Sequence, residues 1–135
     1  MKPSELKNRT RKFSVQMIKL VENLPATLAG QGVAEPLVKA GLTVGAKYRQ
    51  ICQAGTPYDF LHRIGQCEEA ADECVYWLSV IIESEMLAEA EVTAHRDEAR
   101  KLRRILTKSR KAAAKRQRGE TYRKGPGLSE DDIPF

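Results

Sequence analysis

Residues 56–82 read TPYDFLHRIGQCEEAADECVYWLSVII, and this stretch decides the fold class. Thr56 offers a side-chain oxygen to the first free amides of a helix. Pro57 suits the first helical position, where a missing N–H costs nothing, and Asp59 favours the positive end of the helix dipole. Phe60, Ile64, Cys67, Ala71, Cys74, Leu78 and Ile81 then recur by four and three. That is the buried stripe of a long bundle helix, expected to end near Glu83.

The same spacing extends in both directions. Leu6, Thr10, Phe13, Met17, Leu20, Val21 and Leu24 predict a first helix over about residues 4–24, with Ser4 as its cap and Pro25 helping to end it. A turn is expected around residues 29–32. Val33, Leu37, Ala40, Gly41, Val44, Tyr48, Ile51 and Cys52 predict the second helix. Gly41 and Gly45 share a face there, which favours close approach of another backbone over mere helix weakening. After a break near residues 84–88, marked by neither glycine nor proline, Val92, Ala99, Leu102, Ile105 and Leu106 line a fourth helix.

These elements predict an all-α, antiparallel up-down four-helix bundle over residues 1–118, followed by a mobile tail over 119–135 that has turn formers and no periodicity. Low aromatic content, 6%, and high charge content, 30%, agree with a bundle dominated by Ala, Leu, Glu, Lys and Arg. The opening MKPSELKNRTRKF has no apolar core of a leader peptide. The longest nearly unbroken apolar run, Val75 to Ile82, is too short to span a bilayer. A soluble cytoplasmic protein without a membrane partner is expected.

Chemistry-bearing residues are sparse. Cys67 and Cys74 lie seven residues apart on one helix, roughly 10 Å along its axis, too far to bridge. With Cys52 they show no metal or redox spacing, and core placement in a reducing compartment is the expected role of Cys67 and Cys74. Glu68, Glu69, Asp72 and Glu73 cluster on the third helix, but no Glu-x-x-His pair accompanies them, so a solvated or salt-bridged face is expected instead of a metal site. His62 and His95 read as surface or boundary residues, Tyr76 and Trp77 as packing anchors. With no phosphate-cradling glycine loop and no Ser/His/Asp or Cys/His arrangement, the expectation is a non-catalytic protein without a cofactor.

Charge is the informative signal. A net +5 hides a segregation: residues 1–50 carry nine basic and three acidic side chains, residues 51–99 two and eleven, residues 100–135 twelve and four. The acidic middle can pair with the basic ends inside or between subunits. The run RKLRRILTKSRKAAAKRQR places Arg100, Lys101, Arg103, Arg104, Lys108, Arg110, Lys111, Lys115, Arg116 and Arg118 on one helix with no acid among them. Ten cations suit the negative helix end and a phosphate backbone, so these residues are the expected nucleic-acid contacts, to DNA or RNA with little sequence reading.

The stretch Val44 to Arg49, VGAKYR, and the stretch from Glu68 to Leu78 resemble the small bacterial four-helix bundle proteins first noticed as products of 23S rRNA intervening sequences. The opening LKNRTRKFSVQMIKLVENLP is similar to their first helix. This resemblance implies an antiparallel bundle assembled as a homopentameric ring. A related branch, the accessory variability determinant of diversity-generating retroelements, binds nucleic acid and partners a reverse transcriptase. The chain looks closer to the intervening-sequence branch.

The last seven residues, SEDDIPF, resemble a different protein, the acidic C-terminal tip of bacterial single-stranded DNA-binding protein, and depart from the four-helix family's pattern. That likeness implies a docking peptide made of Glu130, Asp131, Asp132, Ile133, Pro134 and Phe135, which recruits genome-maintenance proteins. Pro134 holds Ile133 extended, so the apolar side chains are presented with reduced ordering entropy, while the carboxylates suit a basic surround. A nucleic-acid-binding accessory protein is the leading expectation. A protein-interaction scaffold and a reverse-transcriptase accessory factor are the alternatives.

Overall fold

The computed structural model describes residues 1–119, which form four helices: α1 Pro3–Val21, α2 Leu28–Ile51, α3 Pro57–Glu83 and α4 Glu89–Gly119. No strand occurs among the described residues. The expected mobile tail beyond residue 119, with the expected docking peptide Glu130, Asp131, Asp132, Ile133, Pro134 and Phe135, lies outside them.

Helix ends follow local chemistry, twice against expectation. Pro3 occupies the start of α1, and the carbonyl of the extended residue Lys2 accepts from the Glu5 and Leu6 amides at 3.0 and 3.1 Å. Ser4 therefore lies inside the helix and caps nothing. The helix stops at Val21, yet Leu24 is still buried, so the apolar spacing runs on through a turn that is no longer helical. The expected turn at residues 29–32 is instead the first turn of α2. Thr27 caps it, its Oγ1 accepting from the Gly30 amide at 3.0 Å. Thr56 caps α3 as expected, accepting from the Asp59 amide at 3.0 Å.

The unmarked break after α3 closes with a left-handed residue. Glu85 has φ 59°. Its amide donates to the Ile82 carbonyl at 3.1 Å, and the Met86 amide donates to the Ile81 carbonyl at 3.2 Å, so two terminal carbonyls of α3 are satisfied.

Cross-helix contacts fix the directions. Met17 faces Gly41 while Ser14 faces Gly45, Cys67 meets Val44 while Arg63 meets Gln50, and Asp72 meets Arg103 while Glu68 meets Arg110, so each helix runs antiparallel to the next. Short connections make this the natural packing. α1 packs on α2, α2 on α3 and α3 on α4 along their lengths, whereas α1 and α4 meet sparsely. Arg9 links that last pair, donating through Nε and Nη2 to the two carboxylate oxygens of Glu98 at 2.6 and 2.8 Å.

The core contains Phe13, Met17, Leu37, Val44, Tyr48, Phe60, Ile64, Leu78, Leu102 and Leu106, all essentially inaccessible. Gly41 and Gly45 bring α2 onto α1: a Cβ at Gly41 would stand 2.6 Å from Met17 Cγ, and one at Gly45 2.5 Å from Ser14 Oγ. Ser14 Oγ uses the space to donate to the Gly41 carbonyl at 2.6 Å. Cys67 and Cys74 are core residues, and burial pushes both thiols up to about 12. Cys52 is exposed. Trp77 packs partly buried against the core, but Tyr76 is 59% exposed, its ring meeting that of Trp77 in an edge-on arrangement at 4.9 Å between centroids. The packing-anchor role thus holds for Trp77 and not for Tyr76, because consecutive helical positions point about 100° apart.

Candidate nucleic-acid interface

The helix α4 sorts its ten cations by position. Ala99, Leu102, Leu106 and Ser109 are buried and define its inner face. At 3.6 residues per turn, Arg100, Lys101, Arg104, Lys108, Lys111, Lys115 and Arg118 fall within an arc of roughly 100° on the opposite side. All of these except the half-buried Arg100 are exposed. From Arg100 to Arg118 the stripe is about 27 Å long.

Three of the ten belong elsewhere. Arg103 Nη1 donates to Asp72 Oδ1 at 2.7 Å. Arg110 Nε donates to Glu68 Oε1, and Thr107 Oγ1 donates to Glu68 Oε2. Arg116 lies outside the arc and makes a contact of its own. The acidic cluster of α3 is therefore a pairing face for α4: Glu68 and Asp72 carry the arginines, while Glu69 and Glu73 are exposed. Burial pushes the Glu68 carboxyl up, but the hydrogen bonds from Arg110 and Thr107, with the charges of Arg110 and Lys111, outweigh it and leave the group below its ordinary value.

Among the described residues, Arg100, Lys101, Arg104, Lys108, Lys115 and Arg118 have no ion-pair partner. No carboxylate among the described residues has to be displaced from this stripe before it meets a polyanion. Neither His62 nor His95 joins it: His62 is exposed on α3 and His95 half-buried on α4. Among the described residues no group of acids, histidines and cysteines is placed to hold a metal ion, and no helix is long and apolar enough to cross a membrane.

A second cationic feature was not expected from the sequence. Lys7, Arg11, Ser14, Leu42, Gly45, Ala46 and Arg49 line an open groove of ≈ 500 Å³ between α1 and α2. Gly45 lines it at the helix crossing, where a Cβ would meet Ser14 Oγ at 2.5 Å. Lys7 and Arg11, four apart on α1, were a visible signal; Arg49 joins them only through the packing of α2.

Fold and surface together define an all-α, four-helix bundle with an unpaired cationic stripe along its last helix. The chain belongs to the 23S rRNA-intervening sequence protein family, whose model matches residues 2–108. It is similar in fold to a solved protein from Bacteroides thetaiotaomicron, described as a protein with unknown function from the S23 ribosomal protein family. That match has a TM-score of 0.70 and 21% identity, and covers 78% of this chain and 98% of that one. No curated protein matches the chain.

Proposed function

We propose that this protein is a non-catalytic nucleic-acid-binding accessory protein, which holds DNA or RNA by its phosphates along the outer stripe of α4. The observation that carries this reading is the sorting of cations: Arg103 and Arg110 pair with α3, while six others on the opposite arc have no carboxylate partner among the described residues. Phosphate contacts of this kind draw affinity from counterion release and read little sequence. The lack of an exposed aromatic row on α4 fits that mode and not a base-stacking groove. The scaffold alternative needs the acidic middle free for a neighbour's basic helix. Four of its eleven carboxylates, those of Asp59, Glu68, Asp72 and Glu98, are engaged within the subunit, which favours the nucleic-acid reading.

In this proposal the protein acts as a homopentameric ring in the cytoplasm, and Ser129–Phe135 recruits a genome-maintenance partner. A reverse transcriptase remains an alternative partner. The test is fluorescence anisotropy with mixed-sequence duplex DNA, single-stranded DNA and RNA over a salt series. Tight binding at low salt that weakens linearly in log salt supports the proposal; no binding at low salt rejects it.

A further inference from the structure

The groove between α1 and α2 has a polarity of its own. At the end of the bundle that holds the start of α1 and the finish of α2, its rim is Lys7, Arg11 and Arg49, all exposed and without ion-pair partners among the described residues. Farther along, the same two helix faces turn apolar. Leu42 is 44% exposed, Val15 44% and Ile18 40%, large hydrophobic side chains left in water on one strip. Arg49 and Leu42 are separated by two helical turns, roughly 10 Å.

The peptide Glu130, Asp131, Asp132, Ile133, Pro134, Phe135 has the matching order, three carboxylates and then three apolar residues. In an extended chain, Asp131 and Phe135 lie about 13 Å apart, close to the spacing between rim and apolar strip. The approach direction also agrees. Antiparallel packing puts the end of α4 at the same end of the bundle as Lys7 and Arg49. The twelve residues from Gly119 to Asp131 span at most about 40 Å, and α1, which forms one wall of the groove, is joined directly to α4 by Arg9 and Glu98.

We infer that the α1–α2 groove is the seat of the chain's own segment Glu130–Phe135, with the carboxylates against Lys7, Arg11 and Arg49 and Ile133 and Phe135 on Leu42, Val15 and Ile18. The seat is distinct from the α4 stripe, so docking leaves the stripe open. It holds the recruiting peptide out of reach until a partner with higher affinity takes it. This inference does not depend on nucleic-acid binding.

The test uses the full chain with Phe135 replaced by the photo-crosslinking residue p-benzoylphenylalanine, which keeps an aromatic ring at that position. Irradiation should attach it to Val15, Ile18, Leu42 or Ala46 of the same chain, read by mass spectrometry in a mixture of heavy- and light-isotope protein. The crosslink should be lost when Lys7→Glu, Arg11→Glu and Arg49→Glu are combined. It should equally be lost when Glu130→Gln, Asp131→Asn and Asp132→Asn leave the bundle untouched. Crosslinks on the α4 stripe, crosslinks only between heavy and light chains, or a crosslink that survives the neutralised peptide would each overturn the inference.

Discussion

Arg110 of α4 donates to Glu68 of α3, and Thr107, one turn earlier, donates to the second oxygen of the same carboxylate. This three-residue contact fixes the register of the two longest helices and decides which cations of α4 face inward. With side chains 35% and 17% exposed, it is screened less than a surface pair, but it is not a dry one.

Glu68→Ala should therefore leave Arg110 without its acceptor and cost about 1 to 2 kcal/mol, measured by urea denaturation at neutral pH. Loss of the pair should lower the denaturation midpoint without changing the slope.

The pH dependence follows from the same contact. Because the folded Glu68 carboxyl lies below its ordinary value, its contribution is present above the unfolded value of about 4.3 and is lost as pH falls through the folded value. The parent should lose stability on acidification through this window, and Glu68→Gln should lose less. Parallel melting curves for the two proteins between neutral pH and pH 3 would count against the assignment.

The α1–α2 crossing makes a sharper demand. Gly41→Ala gains about 1 kcal/mol in helix propensity, but its Cβ would press on Met17 at 2.6 Å, and overpacking typically costs about 1 to 3 kcal/mol. The expected outcome is a net lowering of the melting temperature. A rise would mean that Met17 moves aside freely.

Thiol labelling should separate the cysteines. Partial burial raises the Cys52 thiol too, but Cys52 is exposed, whereas Cys67 and Cys74 are buried and pushed up to about 12. At pH 8 one thiol per chain should react in the native protein and three in denaturant. Three reacting natively would show that the core opens.

The bundle was legible because its punctuation is chemical: Thr56 and Pro57 announce α3, and the four-three spacing marks every buried face. The start of α2 was not, since Ala29-Gly30-Gln31-Gly32 reads as a turn by composition. What overrides composition there is Thr27, whose Oγ1 accepts from the Gly30 amide and whose carbonyl accepts from the Gln31 amide. The break after α3 had no glycine because Glu85 accepts the left-handed backbone itself. The ten cations were visible as a run, but their division was not: whether Arg103 or Lys108 faces a carboxylate depends on where α3 sits. The groove was hidden for the same reason, since Arg49 meets Lys7 and Arg11 only once Gly45 has brought α2 against α1.

The measurement that bears most directly on the account is nucleic-acid binding by a stripe variant, Lys101→Glu, Arg104→Glu, Lys108→Glu and Lys115→Glu, beside Arg103→Gln with Arg110→Gln. Each lost phosphate contact should reduce the slope of log affinity against log salt by about 0.7 to 0.9. The stripe variant should keep its helicity and lose binding to both duplex and single strand. The paired-arginine variant should melt earlier yet retain most of the parent's affinity and slope. Undiminished binding by the stripe variant, or equal loss in both, would contradict the assignment of the outer face of α4 as the phosphate-binding surface.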